Sequence, residues 1–161
     1  MNKKLIFTKT DAVLEIMGYL FHAAALTVAA VACATVAEIP VRLDSDNNVL
    51  EYGSPGFLFV LPATMIVCNI IFSVVIHFVD PKVWNLPFTP RPGREIAVYR
   101  DMVRMMTVLE LVFGIFTFAY NFCLFRDIRR ALMPLTILVV LAVFADIAVA
   151  IAVSARHNRM G

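Results

Sequence analysis

Ala131–Val153 reads ALMPLTILVVLAVFADIAVAIAV and holds one charged residue, Asp146. A stretch of this kind meets the requirement of about 20 apolar residues for a helix that crosses a bilayer. Three more lie upstream: Ile16–Ala37, Phe57–Val79 and Met105–Phe125. The 161-residue chain is 61% hydrophobic and 16% charged, with a mean hydropathy of +0.83. Soluble domains average roughly 45–50% apolar and about 25% charged, and a chain this short lacks the interior volume to hide the excess. These figures exclude a soluble enzyme, a nucleic-acid binder and a disordered regulator. They predict an all-α integral membrane protein, a four-transmembrane-helix bundle with the lipid bilayer as its solvent. No soluble domain is left over, so residues 1–161 read as a single membrane domain. The net charge of +2 is too small to point to a polyanionic partner.

Lys3 and Lys4 precede the first span, and Ala32-Cys33-Ala34 resembles a cleavage site. Signal sequences carry apolar regions of up to about 15 residues. Ile16–Ala37 exceeds that and reads as a retained helix. Orientation follows from the Lys and Arg distribution. Lys3, Lys4, Lys9, Lys82, Arg91, Arg94, Arg100, Arg104, Arg156 and Arg159 fall on one side, and Arg42, Arg126, Arg129 and Arg130 on the other. Ten against four predicts both termini in the cytoplasm.

The connecting segments carry their own signals. Ile39-Pro40 is expected to end the first helix, because proline cannot continue the hydrogen-bond ladder and restrains its predecessor. Ile39–Leu43 and Val49–Tyr52 are β-prone runs around Asp44-Ser45-Asp46-Asn47-Asn48, which predicts a small extracytoplasmic hairpin. Ser54 is placed to cap the next helix with Pro55 at its first position. The second loop is rich in proline (Pro81, Pro87, Pro90, Pro92) and carries Trp84, a residue favoured at the headgroup boundary. From about Arg94 the pattern turns helical. The five-residue third loop makes the last two helices antiparallel neighbours.

Helices in lipid associate through small residues and interhelical hydrogen bonds, and each span shows such a stripe. The first has Gly18, His22, Ala25, Ala29, Cys33 and Ala37; the second has Met65, Asn69, Ser73 and His77. The third has Thr107, Glu110, Gly114, Thr117 and Asn121; the fourth has Ala142, Asp146, Ala150 and Ser154. His22, Glu110 and Asp146 fall at a common depth, roughly 8–11 Å inside the cytoplasmic boundary at about 1.5 Å per residue. Together with Asn69, and with His77 and Glu15 at the rim, they form a candidate buried polar cluster. Ionisable groups at that depth should face inward and find partners. A structural hydrogen-bond network, a proton or cation relay and a metal site all remain open. The metal reading is the least supported, because no ligand pair has the local i, i+4 spacing of a strong motif.

Other features carry less. Asp44, Asp46 and Asn48 copy the first ligands of a calcium loop, but no glycine follows and Pro55 stands at the bidentate position, so a solvated turn is expected. Cys33, Cys68 and Cys123 are scattered within spans and read as small apolar residues. No cofactor is implied. Nucleophile elbows, phosphate loops and zinc-protease signatures do not occur, so the sequence points away from an enzyme.

Ile39-Pro40-Val41-Arg42-Leu43-Asp44, followed by Tyr52-Gly53-Ser54 and an apolar helix with Pro62, resembles the SdpI-type bacterial membrane domain family. Asn85-Leu86-Pro87 before an Arg-studded third helix is also similar, so the resemblance spans roughly residues 37–125. It implies a bacterial cytoplasmic (inner) membrane protein of immunity or regulatory type that binds another membrane protein or a toxin peptide. Arg42, Asp44, Asp46, Asn48 and Tyr52 would form its recognition loop. The competing expectation, from the ionisable level, is a small proton- or cation-linked transporter or transporter subunit.

Overall fold

The computed structural model describes residues 5–159; Lys3 and Lys4 lie outside them. Four helices are long and apolar enough to cross a membrane. Helix α1 spans Lys9–Thr35, α2 Val60–Phe78, α3 Glu95–Phe125 and α4 Leu132–Arg159. Strands β1 (Ile39–Leu43) and β2 (Val49–Gly53) pair antiparallel between α1 and α2, with Pro40 opposite Tyr52 and Leu43 opposite Val49. Asn47 turns the hairpin with φ of 64°, a conformation asparagine tolerates.

Three helices run past the apolar stretches that mark them in the sequence. Helix α1 starts seven residues before Ile16, because Thr8 and Asp11 form a reciprocal capping box. Helix α3 begins at Glu95, as the pattern from Arg94 suggests, and α4 continues to Arg159. These extensions lie at the end bearing the termini, where charged residues replace apolar ones. Two expected boundaries shift. Helix α1 stops at Thr35 rather than at Ile39-Pro40, since Val36 is already extended, and Pro40 sits inside β1. Ser54 accepts a hydrogen bond from the Gly56 N–H, but the turn it caps, Pro55–Phe59, is 3-10 before α2 begins.

Helix α3 is the central element. Helix α1 lies along it in parallel, from the Arg104–Asp11 pair to the Asn121 amide over the Ala25 carbonyl. Helix α2 packs against α3 and α1, and α4 packs along α3. The face of α3 that meets α4 carries Asp101, Val112, Ile115, Phe116 and Ala119. Gly114 and Glu110, which meet α1 and α2, are two positions from Val112, or roughly 200° around the helix. Helix α4 thus lies on the far side of α3, not as a fourth wall around one shared interior.

The interior is layered. Ile6, Ile76, Tyr99, Val103 and Met106 pack at the terminal end, with Trp84 edge-on to Tyr99 at 5.9 Å. Ala29, Ala32, Ile39 and Leu58 pack at the hairpin end. Between them, alongside Ala25 and Leu109, lie the buried polar residues His22, Asn69, Thr107, Glu110, Thr117 and Asn121. The outside is apolar, with Leu138, Leu141 and Phe144 of α4 all more than 60% exposed. Polar groups inside and bulky hydrocarbon outside is an arrangement that lipid stabilises and water penalises.

Candidate functional site

The site is built where α1 and α3 approach most closely. Gly18 packs on the Glu110 carbonyl, and Gly114 packs on the Gly18 carbonyl. This backbone proximity brings the side chains flanking Gly18 over Glu110, and α2 closes the third side. Asn69 Nδ2 donates to the Glu110 backbone oxygen at 3.1 Å. One helical turn on, Ser73 Oγ lies 2.7 Å from Glu15 Oε1, 3.1 Å from Glu110 Oε1 and 3.0 Å from Tyr19 Oη. A further turn along, His77 Nε2 bonds Glu15 Oε2 at 3.0 Å. The residues at 69, 73 and 77 form one stripe because they recur every four positions.

Exposure grades along this path. Glu110 has no exposed surface, the Glu15 side chain is 15% exposed, and His77 is 37% exposed. A continuous hydrogen-bonded chain, Glu110–Ser73–Glu15–His77, therefore leads from a sealed carboxyl group to the terminal end of the protein.

Proton counting assigns the states in that chain. A serine hydroxyl donates one hydrogen bond and accepts up to two. Tyr19 donates to Ser73, and Ser73 has one proton for two carboxyl groups. The second carboxyl bonds Ser73 only if it carries a proton itself. The shorter contact marks Glu15 as the acceptor, and Glu15 also bonds His77 Nε2. A Glu110 that carries the proton would donate to Ser73. An ionised Glu110 would bear the desolvation cost of a charge with no surface in contact with solvent.

The structure thus brings Glu110, Asn69 and His77 together, and His22 sits buried with its ring beside the Asn69 side chain. It does not bring Asp146 to them. Asp146 is on α4, half-buried on the far side of α3, and makes no hydrogen bond or ion pair among the described residues. The common depth inferred for His22, Glu110 and Asp146 says nothing about azimuth, and the azimuth separates them. Cys33 and Ala37 also leave the α1 stripe: both are exposed, and Ala32 is the buried position there. Among the described residues no three His, Cys, Asp or Glu side chains converge as a metal site would require.

Two polar pairs lie at the terminal end beyond this network. Asp11, fully buried, accepts from Arg104 and from the Thr8 N–H and hydroxyl. Asp101 accepts from Ser154 and from His157 Nδ1 at 2.8 Å, fixing α4 to α3. Neither pairing was evident from the spans. The Thr8-x-x-Asp11 capping spacing was the available signal for Asp11.

At the opposite end, the expected recognition residues lie on the hairpin. Asp44 organises it, accepting from the Asp46 and Asn48 N–H groups at 2.8 Å and from the Asn48 amide at 2.9 Å. Arg42, Asp46, Asn48 and Tyr52 are exposed. No protein-family profile, curated protein or solved structure matches this chain.

Proposed function

We propose that the protein is a small multi-pass membrane protein that takes up a proton from the side bearing its termini and holds it on Glu110, as a proton-linked transporter or the proton-handling subunit of one. The carrying observation is the unbroken chain from buried Glu110 through Ser73 and Glu15 to His77 at the rim. Proton transfer along such a chain needs only hydroxyl reorientation and short hops between titratable groups. With both termini cytoplasmic, as the Lys and Arg distribution supports, His77 is the cytoplasmic entry. The bacterial inner membrane is the setting that the sequence resemblance suggests.

The test is flux. Purified protein in liposomes with a trapped pH indicator, under an imposed potential, should pass protons faster than empty liposomes. Glu110→Gln should return flux to background. Wild-type protein that moves no protons under any gradient overturns the reading.

A second reading has its own support. The hairpin presents Val41, Leu50 and Tyr52 to the outside, the last two 58% exposed. Such a surface suits a non-enzymatic immunity or regulatory protein that binds a membrane partner or a toxin, as the resemblance to the SdpI-type family implies. Replacing Asp44–Asn48 by a Gly/Ser turn should then abolish biological activity while leaving insertion intact. Full activity after the swap removes this reading.

A further inference from the structure

The hairpin roofs a cavity of about 680 Å³ that the proton path does not use. Leu58 and Leu61, Phe116 and Leu124, and Leu132 and Met133 supply an apolar wall from three sides. Helices α2 and α4 both line it, yet they are not packed along each other. The cavity is therefore a cleft facing sideways, at hydrocarbon depth if the four helices span the membrane. Its size falls in the range of sites that hold small organic ligands, roughly 300–1,000 Å³.

Charge at the mouth narrows the occupant. Asn47 lines both this cleft and an adjoining polar hollow formed with Asp46, Asn48, Asp127, Arg129 and Arg130. Arg129 is engaged: it pairs with Asp127 at 2.9 Å and donates to the Asn47 carbonyl. Asp46 and Arg130 are exposed, and their side chains make no hydrogen bond or ion pair among the described residues. One unpaired anion and one unpaired cation thus stand in the same hollow above an apolar cleft. Inside the cleft the Tyr120 hydroxyl also has no partner among the described residues and can donate to an ester carbonyl.

We infer that this cleft is a binding site for an aminophospholipid, with an acyl chain between α2 and α4, the phosphate on Arg130 and the headgroup ammonium on Asp46. Arginine suits phosphate through its forked donors, and the carboxylate suits a primary ammonium. An anionic lipid without the amine satisfies Arg130 but sets a like charge against Asp46. The inference rests on the membrane placement of the helices and is independent of proton transfer.

Photo-crosslinking tests it. The full chain in mixed-lipid nanodiscs is exposed to phosphatidylethanolamine carrying a photoreactive acyl chain, and the adducts are mapped by mass spectrometry. Adducts should concentrate at Leu61, Thr64, Tyr120, Met133 and Thr136. Unlabelled phosphatidylethanolamine should compete about tenfold better than phosphatidylglycerol, the equivalent of one charge-assisted contact. The double substitution Asp46→Ala, Arg130→Ala should remove that preference, with helical circular dichroism in the same nanodiscs as the control for folding. Equal competition by the two lipids in the wild-type protein, or adducts spread evenly over the exposed face of α4, overturns the site. Failure of the chain to enter nanodiscs would instead remove the membrane placement itself.

Discussion

Gly114 lies so close to Gly18 that a Cβ built on it would stand 2.5 Å from the Gly18 carbonyl oxygen, and a Cβ on Gly18 would stand 2.8 Å from the Glu110 carbonyl. Two backbones meet here with nothing between them. That contact holds Glu15 and Tyr19, on either side of Gly18, against Glu110 and Ser73.

Gly114→Ala should therefore push α1 from α3 and destabilise the protein by about 1–3 kcal/mol, the usual cost of overpacking. Gly56→Ala is the control, since its added methyl would meet only Ser54 Oγ at 3.4 Å. Thermal unfolding in detergent should separate the two. Equal midpoints would mean that the close crossing contributes no stability.

The buried Asp11 side chain serves three donors, whereas Arg104 is 42% exposed and can turn to water. Asp11→Ala should cost more than Arg104→Ala, by about 1–2 kcal/mol for the lost cap. Denaturation of both variants under one set of conditions measures the difference. An equal loss would show that the ion pair, and not the cap, carries the stability.

Apolar length alone located all four helices, because that signal is local and summed over many residues. Hairpin pairing was legible for the same reason: two β-prone runs flank a turn that Asp44 can close. Depth along a helix was also readable, which is why His22, Glu110 and Asp146 were expected at one level with His77 and Glu15 at the rim. Azimuth was not. Whether Asp146 joins Glu110 depends on which face of α3 receives α4, and no single-helix stripe encodes that pairing. Ser73 appeared only as a small residue of the α2 stripe, and its bridging role emerges from the Gly18–Gly114 crossing, a long-range contact.

Asp44 gives a pH signature confined to the hairpin. Hydrogen bonds from the Asn48 side-chain amide, then from the Asn48 backbone, hold its carboxyl below the usual carboxylate range. A depressed value in the folded state means the hairpin gains stability above the unfolded value of about 3.9. That gain is lost as pH falls through the folded value. Amide NMR shifts of Asp46 and Asn48 should follow this acid transition, and Asp44→Asn should remove it. A transition that persists in the variant would belong to another group.

The sharpest contrast lies between two carboxyl groups of similar depth. Glu110 ends a hydrogen-bonded chain that reaches His77, whereas Asp146 sits on the other face of α3 and joins no such chain. Glu110→Gln keeps the volume and still donates to Ser73, so the fold should survive while the proton path loses its terminal acid. Ser73→Ala should slow flux without ending it, because a water molecule can stand in for the hydroxyl. Asp146→Asn should leave flux unchanged. Proton flux in liposomes reads all three. If Asp146→Asn stops transport while Glu110→Gln does not, protons travel along the α3–α4 seam, and the chain through Ser73 is a structural device that holds α2 to α1.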